Sequence, residues 1–200
     1  MWWYKAAKNF NIDPVENLNN NSFGESRVTY SNSKSKRGCS LERLQQLKVN
    51  GEYPDFIFNF MGGNDWGSSA AIGSWNIGDS FPTEYDSKGD EIRLDFKPAY
   101  ALMLNRLNEL YPNALKVCIT EPLLSMKKTG GRPIKDWMEA IVDIAKKFNL
   151  PVIDLYKLCG QTIWREVPGN NTTTGNDAAE PSASSKYISD MWVHLNPLGQ

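Results

Sequence analysis

The chain has 200 residues, 40% of them hydrophobic, with 22 Lys and Arg against 23 Asp and Glu and a net charge of −1 at pH 7. That is enough chain to bury one ordinary core without staples, so a single domain over residues 1–200 is expected. The near-neutral balance offers no electrostatic footprint for a phosphate backbone or an anionic membrane surface, which argues against nucleic acid and lipid headgroups as partners.

Trp3, Ala7 and Phe10 recur at helical spacing, so the chain opens on a helix. After Asn11 to Pro14, the segment Val15 to Leu18 reads as a short strand. Ser40 is placed to cap a helix carrying Leu41, Leu44 and Leu47, which Asn50-Gly51 ends. The run Phe56-Ile57-Phe58-Asn59-Phe60 then predicts a buried parallel strand.

Asp95 can cap a long helix with Met103, Leu107, Leu110 and Tyr111 on one face, with Pro98 in its first turn and Pro112 as its stop. A strand from Leu115 to Thr120 follows. Trp137, Ile141, Ile144, Ala145 and Phe148 make a further helical stripe, closed before Pro151 and a strand from Val152 to Leu155. Helices alternating with apolar strands predict an open, mostly parallel sheet, in which ligands sit beyond the carboxyl ends of the strands.

Two stretches break this rhythm. Gly67 to Leu94 is a long loop bearing Trp75, Phe81 and Tyr85, suited to shaping a pocket, and Pro168 to Ser185, rich in Asn, Thr, Ala and Ser, reads as mobile. Cys39, Cys118 and Cys159 are far apart, odd in number and without metal-ligand spacing, which predicts free thiols and no zinc site. No run approaches the roughly 20 apolar residues of a membrane span, and Met-Trp-Trp-Tyr-Lys is no signal-peptide start; any such peptide would lie upstream of Met1.

His194 is the sole histidine, and Asp190 lies close to it in Asp190-Met191-Trp192-Val193-His194-Leu195-Asn196-Pro197. Imidazole is the side chain best suited to take a hydroxyl proton near neutral pH, and a carboxylate on its other nitrogen would fix the tautomer. Gly62-Gly63-Asn64-Asp65 comes directly after the strand Phe56 to Phe60, where a parallel sheet places its site. An Asn amide there can donate to an oxyanion, and paired glycines allow a tight turn. Gly24, in the polar loop Asn19-Asn20-Asn21-Ser22-Phe23-Gly24-Glu25-Ser26, could offer its backbone N–H to the same oxyanion.

These segments, in this order and over nearly the whole chain, resemble the SGNH or GDSL hydrolase family. The resemblance implies a three-layer, flavodoxin-like α/β fold whose mostly parallel sheet has an order like 2-1-3-4-5. It also implies oxyanion donors at Gly24 and Asn64, and an Asp and His pair at Asp190 and His194. The stretches Gly24 to Thr29, Cys39 to Leu44 and Met61 to Gly67 look like one bacterial branch of these esterases.

Two features depart from the family pattern. The Gly-Asp-Ser nucleophile block expected before Gly24 is missing, so the first strand is expected to be lost, and the final helix after Gly199 is missing too, as if both ends were cut. Gly78-Asp79-Ser80 supplies the right letters in the wrong order, inside a loop after the Asn64 block, which makes Ser80 a weak nucleophile candidate. Asp190 stands four residues before His194 where the family sets its Asp three before, with Met191 in that place.

The implied activity is hydrolysis of short-chain carboxylic esters, acetyl groups on carbohydrate among them, by a Ser-His-Asp mechanism that needs no metal or organic cofactor. Trp66 and Trp75 could stack on sugar faces or belong to the core. Two rival readings are a carbohydrate-binding or scaffold remnant without turnover, and an enzyme using Ser80 or Ser22 beside His194. Oligomeric state and cellular address are not written in the sequence.

Overall fold

The computed structural model describes residues 2–31, 33, 36–121 and 133–158, together with the backbone of 188–189 and 194–195. Cys159, Asp190 and the Pro168 to Ser185 stretch lie outside them. The described elements are α1 (Trp2–Asn9), α2 (Leu41–Leu44), β1 (Phe56–Asn59), α3 (Gly63–Gly67), α4 (Phe96–Leu110), β2 (Leu115–Ile119), α5 (Lys135–Lys147), β3 (Val152–Ile153), α6 (Leu155–Leu158), β4 (Ile188–Ser189) and β5 (His194–Leu195).

The apolar runs form the expected parallel sheet, in the order β1-β2-β3. Phe56 pairs with Leu115 and Asn59 with Cys118, and Cys118 pairs in turn with Val152. Successive side chains alternate between faces. Ile57, Asn59 and Cys118 turn towards α4 and α5, where the Asn59 amide donates to the Tyr100 hydroxyl at 3.1 Å. Phe96, Tyr100, Met103, Leu104, Leu107, Met138, Ile141 and Ile144 fill the space between these helices and the sheet.

The opposite face is far less covered, with Phe56 56%, Phe58 57% and Leu115 47% exposed. No strand among the described residues pairs with the outer edge of β1, which agrees with an expected 2-1-3-4-5 sheet seen here in its 3-4-5 part.

Several expectations at the level of single elements are corrected. Val15 to Leu18 is a turn: the Asp13 carboxylate accepts from the Val15 N–H at 2.8 Å, and the Asn17 N–H donates to the Asp13 carbonyl at 2.8 Å. An Asp before Pro14 captures the backbone locally, leaving Val15 in solvent. The helix capped by Ser40 stops at Leu44 and does not reach Leu47, although the cap is formed, with Ser40 accepting from the Arg43 N–H. Asp95 occupies the N-cap position of α4 but makes no side-chain cap bond. The strand begun at Val152 ends at Ile153, because Leu155 already starts α6.

The long loop after α3 is tied to the core by buried charges. Arg37, fully buried, donates to the carbonyls of Glu84 at 3.2 Å and Ile92 at 3.0 Å and pairs with Glu91 at 3.2 Å. Arg106 of α4 binds the Glu84 carboxylate and the Cys39 carbonyl. The Cys39 thiol lies inside this cluster, and burial pushes it up to about 12, which makes it inert. Cys39 and Cys118 are both free and buried, as expected.

Candidate active site

The turn after β1 is built by its glycines. Gly62 has φ 133°, and a Cβ there would meet Ile141 at 3.0 Å and Phe96 at 3.3 Å. Only glycine adopts this conformation in that space without strain. The turn therefore sits tightly on α4 and α5 at the carboxyl end of β1, and Asn64 and Asp65 enter α3 immediately afterwards.

Asp65 is completely buried and reaches across to the loop that carries Gly24. Its carboxylate accepts from the Val28 N–H at 3.0 Å, the Thr29 N–H at 3.0 Å and the Thr29 hydroxyl at 2.7 Å. Burial raises its pKa, against the pull of those bonds and of Arg27. The same loop is bound by Asn64, whose side-chain amide donates to the Ser26 carbonyl at 3.1 Å.

An Asn amide has two N–H donors. One is committed to Ser26, which fixes the plane of the amide; Asn64 is exposed, and the second N–H meets no acceptor among the described residues. Gly24 stands two residues before Ser26, at the tip of a turn closed by the Ser26 N–H on the Phe23 carbonyl at 3.3 Å, with Glu25 in the left-handed region at φ 59°. Gly24 is exposed with open space around it. Gly24 and Asn64 are thus both exposed, on two loops that the Asn64 to Ser26 hydrogen bond joins.

Arg43 secures the other flank. Its guanidinium donates to the Ser26 hydroxyl and the Lys36 carbonyl, both at 2.6 Å, and to the Asn21 carbonyl at 2.8 Å and side chain at 3.0 Å. Desolvation lowers its pKa to about 10, so it remains a cation at neutral pH.

Of the other sequence candidates, His194 has its backbone in β5, paired with Ser189 of β4 in an antiparallel ladder. Its side chain, and all of Asp190, lie outside the described residues. Trp66 and Trp75 are 7% and 6% exposed and belong to the core, the second of the two places the sequence left open to them. Trp75 lies nearly parallel to Phe81 and Phe148, with centroids at 5.6 and 5.5 Å, and Lys147 binds its carbonyl at 2.8 Å.

That contact also locates Gly78-Asp79-Ser80. Met138 of α5 packs near Gly62, and Lys147 lies about 13 Å further along the same helix at 1.5 Å per residue, towards the amino end of β3. The Asp79 carboxylate is spent on the Asn76 N–H at 2.7 Å. Ser80 is therefore in a loop turned away from the carboxyl ends of the strands. Ser22, in the Gly24 loop, donates to Asn20 at 2.6 Å.

The family model of GDSL-like lipases and acylhydrolases matches residues 1–169. The chain belongs to this family. Among solved structures, this GDSL-like chain is similar to one described as a GDSL-like lipase from Bacteroides ovatus, at 21% identity and a TM-score of 0.55. That match covers 78% of this chain and 65% of the other, so the chain spans less than two thirds of that relative. A Lactobacillus plantarum protein matches at 20% identity and a TM-score of 0.66, over 96% of this chain and 78% of its own. At such identities the likeness shows the fold. No curated protein matches.

Three residues that hold the GDSL-like site together escaped the sequence reading. Asp65 was legible as part of the G-x-N-D turn, but its partners Val28 and Thr29 lie on a distant loop. Arg43 sat unremarked in a helix. Glu121, at the carboxyl end of β2, packs its carboxyl on Gly63, with Oε1 only 2.9 Å from where a Cβ would stand. A charge next to a proline in a strand-end loop reads as surface, and no local signal places it against Gly63.

Proposed function

We propose that this protein hydrolyses short-chain carboxylic esters, with acetyl groups on carbohydrate as the leading substrate class, by a Ser-His-Asp mechanism. The observation that carries the reading is the bonding of two loops into one donor platform: Asn64 to Ser26, and Asp65 to Val28 and Thr29. A serine attacking the ester carbonyl would pass its proton to His194, oriented by Asp190, while the Gly24 N–H and the free Asn64 N–H take the oxyanion.

The serine, which none of these 200 residues supplies in the family's place, would stand on a strand paired with the outer edge of β1, which no described strand occupies. The same open edge favours a second reading, a carbohydrate-binding or scaffold remnant that keeps the platform without the nucleophile.

Hydrolysis of p-nitrophenyl acetate by the protein, beside His194→Ala and Ser80→Ala, tests the first reading, with fluorophosphonate adducts mapped in parallel. Turnover lost in His194→Ala and kept in Ser80→Ala supports it with a serine inside these 200 residues, and a folded chain no faster than its His194→Ala control is the outcome expected with that serine absent. An adduct on Ser80 or Ser22 overturns the placement of the serine. A folded protein no faster than its His194→Ala control, yet binding an acetylated sugar saturably, selects the second reading.

A further inference from the structure

Glu121 is a partly exposed acid that the ester mechanism leaves without a task. It follows Thr120 at the carboxyl end of β2, and its carboxyl rests on Gly63, the residue directly before Asn64. Its own N–H lies 3.0 Å from the Met138 sulfur of α5. The side chain has no hydrogen-bond partner among the described residues.

Several charged groups on the described elements around it are engaged elsewhere. On α3, Asp65 is turned onto Val28 and Thr29. On α5, Lys135 and Glu139 pair with one another on the exposed side and Asp143 pairs with Lys97 and Lys147. At the end of β3, Asp154 accepts from the Thr120 hydroxyl at 2.9 Å and pairs with Lys157.

We propose that Glu121 is a proton-controlled positioning residue of the oxyanion turn: with its carboxyl neutral, the Gly63-Asn64 turn accepts an anion, and with it ionised the turn repels one. The inference rests on the ester-hydrolase reading for its consequence, although not for its geometry. Desolvation alone accounts for the shift at Glu121, raising it from 4.5 to about 7, so the change of state falls near neutral pH, where an ordinary imidazole also changes charge. A free imidazole is needed for the proton transfer and a neutral Glu121 for the oxyanion, which gives a bell-shaped dependence with the two limbs close together.

The test is NMR observation of the Gly63 amide and the Asn64 side-chain amide between about pH 5 and 9, in the wild type and in Glu121→Gln. Expected is one transition shared by both signals with a midpoint near 7, absent from Glu121→Gln. A transition that persists in Glu121→Gln, or none in the wild type, overturns the proposal. Ester hydrolysis over the same range gives the second arm. The wild-type rate should fall about tenfold per pH unit beyond the midpoint, and Glu121→Gln should lose that limb while keeping the acid one. If neither form hydrolyses ester, the activity reading fails while the amide titration still decides the role of Glu121.

Discussion

Two irregular segments of this molecule are held by buried charge, and they use it differently. In the loop from Trp75 to Glu91, Arg37 and Arg106 turn their donors onto carbonyls and carboxylates inside the protein, and the result is a closed clamp. In the loop around Gly24, Asp65 and Arg43 also hold backbone and side chains, but Gly24 and the neighbouring Asn64 remain exposed, with one Asn64 N–H uncommitted among the described residues. Loops can be equally rigid and still differ in whether polar capacity is left over. That surplus, more than the burial of charge, separates a site from a staple.

Replacement on either side should break the symmetry of that comparison. For Asn64→Ala, turnover of p-nitrophenyl acetate should fall by about 100- to 1,000-fold, the range for an oxyanion donor, while the urea midpoint changes little. For Arg37→Met the pattern reverses: about 3 kcal/mol of stability is lost, since Glu84 and Glu91 keep their charge without the cation between them, and turnover per folded molecule is retained. Urea melts and initial rates on both variants check the pair.

A smaller effect sharpens the contrast within the site itself. The pKa of Glu121 is raised on folding, so the stability associated with its protonated form is complete below about 4.5 and is lost as pH rises through about 7. Urea melts at pH 5 and pH 8 should show the wild type losing up to roughly 3 kcal/mol relative to Glu121→Gln across that interval. Equal losses in both proteins would remove Glu121 from the account.

What the sequence made legible was governed by local period. The run at Phe56 and the stripes through Met103 to Leu110 and Trp137 to Phe148 announce β1, α4 and α5, because burial on one face or two is written into neighbouring residues. The Gly62-Gly63-Asn64-Asp65 turn was legible for a similar reason, its chemistry being contiguous. Asp65 holding Val28, Arg43 holding Ser26 and Glu121 resting on Gly63 were not, since each joins positions that only the tertiary structure makes adjacent. Val15 to Leu18 misled because four residues carry too little period to outweigh one Asp-Pro turn. Trp75 stayed open between pocket and core because an aromatic in a long loop suits either until Phe81 and Phe148 are found beside it.

The chain-order sheet bears on how the molecule assembles in time. β1, α4, β2, α5 and β3 follow one another in both sequence and space, so each strand docks on the one made just before it. Each step still closes a long loop, since pairing β1 with β2 brings position 56 onto position 115, and parallel pairing of this kind is the slow event that sets the pace for this half.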